Sequence, residues 1–337
     1  MKRLYELLRQ AGKDPVTLGD SILVLPFGGR ILGLYPDGEK NMFWVNENLM
    51  QADTAHSFFA ADGWLNTGGD RTWISPEMET HCPNMDGYPG NIDVPGSVDP
   101  GAYEVCEADK SSVKLVSGMA VRFHRSGQNI SLEVEKAVVM RDKPPMTLPP
   151  GVSFAGYQAR CTLRIAEPVS GPMRPGLWNL IQVPGGGEIV IPVKPGVAPR
   201  AFIGDPVFTM EGNRLRALVE TDASFKFSIK AGQSRGSMVY INTACDPASL
   251  VVRKYHVGDE SRYADFPCND PGDPGYLTEI YIDDGAYGGF GEMEYHSPAV
   301  DVAGGETEVR DSSEVWAFSG PVHAICDLSE AILEETV

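Results

Sequence analysis

Residues Ser112–Arg141 read SVKLVSGMAVRFHRSGQNISLEVEKAVVMR. Within this stretch Ile130, Leu132 and Val134 alternate with Ser131, Glu133 and Glu135. A period of two puts the apolar set on one face of a strand and the polar set on the other. The stretch predicts three short strands, with turns at Ser117-Gly118 and Ser126-Gly127. The same rhythm extends in both directions. Ser21–Pro36 predicts two strands around Gly28-Gly29, and Met42–Asn46 (MFWVN) predicts another. YQARCTLRIAEP, EIVIPVKP, RLRALVE, FKFSIKA, SMVYINTAC, LVVRKYHV, YLTEIYIDD, GEMEYHSPAV and EVWAFSG follow as further strands, with prolines mainly between them. The fold class is therefore all-β: large antiparallel sheets in one sandwich, with few short helices. MKRLYELLRQAGKD predicts an amphipathic helix with Leu4, Leu7 and Leu8 on one face, and LSEAILEETV predicts a second helix. These readings divide the chain into an N-terminal helix (1–15), one sandwich domain (16–322) and a helical tail (323–337).

The chain has 337 residues, which an all-β unit can accommodate as one domain. Its 46 acidic and 28 basic residues give a net charge of −18. Phosphate binding calls for Lys and Arg clusters, so this balance argues against a nucleic-acid partner and against an anionic membrane surface. No run of about 18 apolar residues predicts a membrane span. The charged N-terminus lacks the apolar core of a signal peptide, so the chain reads as cytoplasmic. Six scattered cysteines never form a CxxC, which predicts reduced thiols and no structural zinc. The acidic turns at Asp270–Asp273 and Asp283-Asp284 read as solvated loops, so neither a metal nor a cofactor is expected.

Signatures for dinucleotide binding, P-loop phosphate binding and HExxH zinc proteolysis are absent. Aromatic and carboxylate chemistry remains. Gly68–Glu77 reads GGDRTWISPE and offers Asp70, Arg71, Trp73 and Glu77 within one short stretch. Sugar rings lay apolar C–H faces on aromatic planes, while their hydroxyls need planar polar groups. The alternative reading makes Trp73 a core residue and pairs Arg71 with Asp70 or Glu77. In Gly291–Tyr295, GEMEY, Glu292 and Glu294 share one strand face, opposite Met293. A buried carboxylate there could act in proton transfer; the alternative is a pair of solvated glutamates on an edge strand. Cys82–Tyr103 is Gly-, Pro-, Asn- and Asp-rich and too long for a simple turn, as functional loops often are.

In order along the chain, these features resemble the galactose mutarotase-like superfamily, the aldose 1-epimerase relatives. GGRILGLYP is followed by MFWVN and then by GG-x-R-x-W-x-x-P-E (Gly68, Gly69, Arg71, Trp73, Pro76, Glu77). Next come W-N-L-x-Q-V (Trp178–Val183), EIVIP, LVVRKYHV, E-x-E-x-x-S-P (Glu292–Pro298), the Gly304–Glu306 turn and EVWAF. The resemblance implies a β-supersandwich with a sugar cleft on a concave face, binding a small sugar or an oligosaccharide. It further implies anomer interconversion, in which a glutamate near the C-terminus takes the anomeric hydroxyl proton while a histidine protonates the ring oxygen. Glu294 is similar in position to that glutamate. The acid histidine of mutarotases lies in an H-x-Y-F-N-L segment, but here Trp178 precedes Asn179-Leu180. His81, with His124 as the alternative, is then the candidate acid. Candidate sugar contacts are Asp70, Arg71, Trp73, Glu77, Trp178, Asn179, Gln182, Arg253 and Glu292. Two alternatives stay open at this point: a carbohydrate-binding protein without chemistry, and a lyase or hydrolase acting on oligosaccharides, since one fold hosts several chemistries.

Overall fold

In the computed structural model, which describes residues 1–220 and 222–335, Ser112–Arg141 folds as two long strands rather than three short ones. Ser112–Phe123 pairs with Gln128–Met140 in unbroken antiparallel register, from Ser112 opposite Val139 to Phe123 opposite Gln128. Only the second predicted turn exists. Gly127 takes a φ of 68°, the left-handed region a tight turn needs, whereas Gly118 stays within the strand. Ser117 is buried, and its Oγ accepts the Ala102 N–H at 3.2 Å, so its polarity serves a neighbouring loop.

Those two strands belong to a ten-stranded antiparallel sheet among the described residues. Facing it is a nine-stranded sheet whose centre runs Asp70–Ser75, Gly176–Pro184, Phe290–His296, Tyr276–Ile282 and Phe225–Lys230. The core lies between the sheets. Ile181, Met293, Ile280 and Phe227 from the nine-stranded sheet meet Leu115, Val138, Tyr157 and Val251 from the ten-stranded one. Alternation then presents the other residues of the five central strands on the far face of the nine-stranded sheet, where a cavity forms.

Two further expectations change. Met42–Asn46 is not a strand, and Val45 makes only an isolated bridge to Gly68. The Asn41 carboxamide accepts the Leu34 and Phe43 N–H groups, so local side-chain bonds replace a ladder there. Ala52–Phe59 forms a helix not legible in the pattern. The first helix, Lys2–Gln10, buries Leu4 and Leu8 against Leu23, Leu25 and Leu32. The last helix starts earlier than predicted, at Val322, and runs to Glu335; Thr336 and Val337 of the predicted segment lie outside the described residues. Its Ile325, Leu328 and Ile332 pack on Val190, Leu250 and Trp316.

Candidate functional site

The glycine pair that opens GGDRTWISPE is dictated by crowding. A Cβ on Gly68 would lie 2.3 Å from the Trp44 carbonyl oxygen, and one on Gly69 would lie 2.4 Å from that of Ile31. Both residues have positive φ, at 95° and 80°. No other residue type suits both demands. The pair lets Asp70–Ser75 enter the sheet beside Gly176–Pro184, with Arg71 opposite Leu180 and Trp73 opposite Trp178. After Pro76 a single helical turn, Glu77–Thr80, carries Glu77 and leads into His81.

Arg71, Trp73, Glu77 and His81 line one cavity of about 780 Å³ together with Trp178, Lys226, Glu292 and Glu294. That volume falls within the usual range of small-molecule sites, roughly 300–1,000 Å³. All eight of these side chains are buried. Arg71 Nη2 donates to Glu292 Oε1 at 2.8 Å, and Gln182 Nε2 donates to the same oxygen at 2.9 Å. The Arg71 guanidinium also lies 4.2 Å from the Trp73 ring centroid, a cation–π contact. His81 stacks on Trp73 at 5.0 Å. Trp73 thus supports both Arg71 and His81, and its own Nε1 donates to Asp99 at 3.0 Å. Asp99 also accepts from Trp64 at 2.9 Å and pairs with buried Arg30, which ties the loop 82–103 to the sheet.

Lys226 is the electrostatic centre. Its Nζ lies 2.7 Å from Glu77, 2.8 Å from Glu279 and 3.0 Å from Glu294. Burial alone would lower its pKa, but the three carboxylates outweigh burial and raise it well above the ordinary lysine value. Burial raises the Glu294 carboxyl well above its usual range; Lys226 opposes this, and Glu292, Glu279 and Glu77 add to it. Glu77 is raised mainly by burial as well. Burial also acts to raise Glu279, yet Lys226 and His296 overcome it and hold that carboxyl low. His296 is raised, its burial offset by Asp265 and Glu279. Burial drives His81 down to about 3, with Arg71 and Lys226 contributing, so its imidazole is neutral across ordinary pH.

Hydrogen-bond direction adds detail. Trp178 Nε1 donates to Glu294 Oε2 at 2.6 Å, and Lys226 donates to the same oxygen. Glu294 Oε1 has no partner, and neither do His81 Nε2, Arg71 Nε and Arg71 Nη1. His81 Nδ1 lies 2.8 Å from Thr80 Oγ1, which is also 2.9 Å from the carbonyl oxygens of Ile74 and Pro76. The single Thr80 hydroxyl proton can satisfy one of those carbonyls while the oxygen accepts from Nδ1–H. Nε2 is then left as a bare acceptor. These four atoms belong to side chains that line one cavity, and polar contacts from a bound molecule are one way to satisfy them.

The remaining sequence candidates lie elsewhere. Asp70 and Arg253 point into the space between the sheets, where Asp70 accepts from Tyr157 at 2.6 Å and from Arg253 at 3.3 Å. Asn179 bonds Thr72 and Asp311 on that same inner side. Gln182 reaches Glu292 without lining the cavity. His124 is half-buried just beyond the end of Ser112–Phe123 and does not line the cavity. Arg71 takes Glu292 as its partner, not Asp70 or Glu77. Lys226 is not legible as a site residue in the sequence, although FKFSIK alternates cleanly. The pattern separates Lys226 and Ser228 from Phe225 and Phe227, but it cannot say whether the polar face meets water or a cavity.

Two other constellations carry residue types used in catalysis or metal binding. Gly232–Gly236 reads GQSRG, a G-x-S-x-G spelling, but it joins one strand to another instead of a strand to a helix. Its Ser234 is buried, with Oγ 2.8 Å from Thr278 Oγ1. Asp265, Glu279 and His296 bring potential metal-ligand atoms within 4.8 Å of one another. Lys226, 2.8 Å from Glu279, already supplies positive charge there. Among the described residues no helix is long and apolar enough to cross a membrane.

No protein-family model matches the chain. No curated protein matches it in sequence. Solved structures do. One is a galactose mutarotase-like protein from Lactobacillus casei ATCC 334, 13% identical with a TM-score of 0.52, covering 90% of this chain and all of that one. Another is a candidate aldose 1-epimerase from Escherichia coli K12, 11% identical with a TM-score of 0.51, covering 91% of this chain and 99% of that one. At such identities the likeness establishes architecture alone: this chain has the galactose mutarotase-like fold.

Proposed function

We propose that this chain binds a reducing sugar in the cavity and interconverts its anomers by acid/base ring opening. The observation that carries the proposal is the set of unpartnered polar atoms on buried cavity residues: Glu294 Oε1, His81 Nε2, and Arg71 Nε and Nη1. Ring opening needs one group to take the anomeric hydroxyl proton and another to protonate the ring oxygen as the C1–O5 bond breaks. Re-closure on the other face of the carbonyl reverses both transfers.

The resemblance assigns the base to Glu294, and His81 is the first candidate for the acid whose family segment is absent here. The local chemistry favours the reverse distribution. Burial raises the Glu294 carboxyl, and a proton there can sit on Oε1, since Oε2 accepts from Trp178 and Lys226. His81 is neutral, with Nε2 available as an acceptor for the anomeric hydroxyl. Arg71, fixed by Glu292 and Trp73, offers its remaining N–H groups to ring hydroxyls.

A second reading, sugar binding without turnover, is favoured by that same low proton affinity of His81 and by Trp178 standing where a mutarotase carries its acid histidine. Proton NMR of anomer exchange, over a panel of free hexoses and pentoses, separates the two. Acceleration by the wild type that disappears in both Glu294→Gln and His81→Gln supports the enzyme. Full acceleration by Glu294→Gln sinks the assignment. Saturable binding with no acceleration establishes the second reading.

A further inference from the structure

The cavity has two tiers of different chemistry. Its floor is buried and carries the charged groups, Arg71, Glu77, Lys226, Glu292 and Glu294 with His81, set against the Trp73 and Trp178 rings. Its upper walls are largely apolar and less buried. Trp64, Ile92, Val94 and Ile203 are half-buried there, and Tyr287 is 48% exposed at the rim. Trp64 and Tyr287 stand 5.9 Å apart in an edge-on arrangement. Trp64 is held by its bond to Asp99, so this tier is anchored to the floor below it. Polar groups are sparse in the upper tier, with Asp93 and Asp284 on its exposed margin.

A single hexose does not account for this shape. It has far fewer atoms than the drug-sized ligands that cavities of this class, roughly 300–1,000 Å³, enclose. Trp64 borders the floor, 5.5 Å from Trp73, so a hexose seated there would leave uncovered the wall at Ile92, Val94, Ile203 and Tyr287. Free aromatic and aliphatic surface gains from covering an apolar face, and a pyranose ring offers its C–H face for that. Its outward hydroxyls would meet water and the two rim carboxylates. Charge narrows the choice further. The floor already balances Arg71 and Lys226 with carboxylates, and the rim adds two more, so an anionic second unit would be repelled.

We infer that the preferred ligand is a neutral reducing disaccharide, with its reducing ring on the polar floor and its second ring in the upper tier beside Trp64 and Tyr287. This rests on the sugar-site reading above. The test is isothermal titration of the full chain with maltose, cellobiose and lactose against glucose, with Tyr287→Ala as the variant. At least one disaccharide should bind about tenfold or more tighter than glucose, and Tyr287→Ala should erase most of that advantage. Glucose binding as tight as every disaccharide overturns the second-ring site while leaving the sugar-site reading intact. A disaccharide advantage untouched by Tyr287→Ala also overturns it, because the second ring then lies elsewhere. No binding by any of the four sugars overturns this inference, and the sugar-site reading is then decided separately by the hexose and pentose panel.

Discussion

Replacing Lys226 with Met keeps the length of the side chain and removes the charge that three buried carboxylates share. Nζ is within 3.0 Å of Glu77, Glu279 and Glu294, and all four side chains are at most 4% exposed. Breaking a buried pair by removing one partner costs about 3–5 kcal/mol, because the remaining charge is stranded. The loss depends on pH in a direction fixed by the carboxyl shifts. Glu279 is held low in the folded state, so its stabilisation is present above the ordinary carboxylate pKa and is lost as pH falls through its folded value. Glu77, Glu294 and Asp265 are raised, so each removes stability as pH climbs from its unfolded pKa to its folded one, which for Asp265 is about 8. Without Lys226 the opposing attraction vanishes and the folded pKa values of Glu77, Glu279 and Glu294 move up. The variant then binds extra protons when folded, and its deficit grows by up to about 1.4 kcal/mol per pH unit for each proton. Urea unfolding at pH 5, 6.5 and 8 should show the full 3–5 kcal/mol deficit at pH 8 and less than half of it at pH 5. A deficit below about 1 kcal/mol that is the same at every pH would refute the argument, since it would mean that Lys226 does not neutralise the cluster.

Two further expectations concern the groups around it. Arg71→Met should abolish sugar binding and destabilise the protein by about 3–5 kcal/mol, because Glu292 is left buried beside Gln182 alone. Arg71→Met combined with Glu292→Gln should recover much of that stability but none of the affinity; recovered affinity, read by titration calorimetry, would exclude Arg71 as a ligand contact. Asp99→Asn removes the charge partner of fully buried Arg30 and weakens the acceptor shared by Trp64 and Trp73. Limited proteolysis should then cut within 82–103 faster than in the wild type, and unchanged cleavage would show that Asp99 does not hold that loop.

The period-two alternation in ISLEVEK and FKFSIK made the strands legible, because a residue's face in a sheet follows from its parity alone. The glycine pair before Arg71 was equally legible as punctuation, though the Trp44 and Ile31 carbonyls that exclude a Cβ there come from distant segments. Parity also placed Glu292 and Glu294 on one side of a strand. It could not say that this strand is central, lying between Gly176–Pro184 and Tyr276–Ile282, and so it left open whether the glutamates are solvated. The same limit hid Lys226, 68 residues from Glu294 in sequence and 3.0 Å from it in space. Sequence proximity misled at Asp70 and Asn179, which parity already separates from Arg71 and Trp178 because adjacent strand residues face opposite ways. The sequence by itself determined the β architecture and the side of each strand on which a residue stands. Only the tertiary structure decided which face is enclosed and which charges meet there, because burial and Coulomb attraction depend on distances that chain order does not contain.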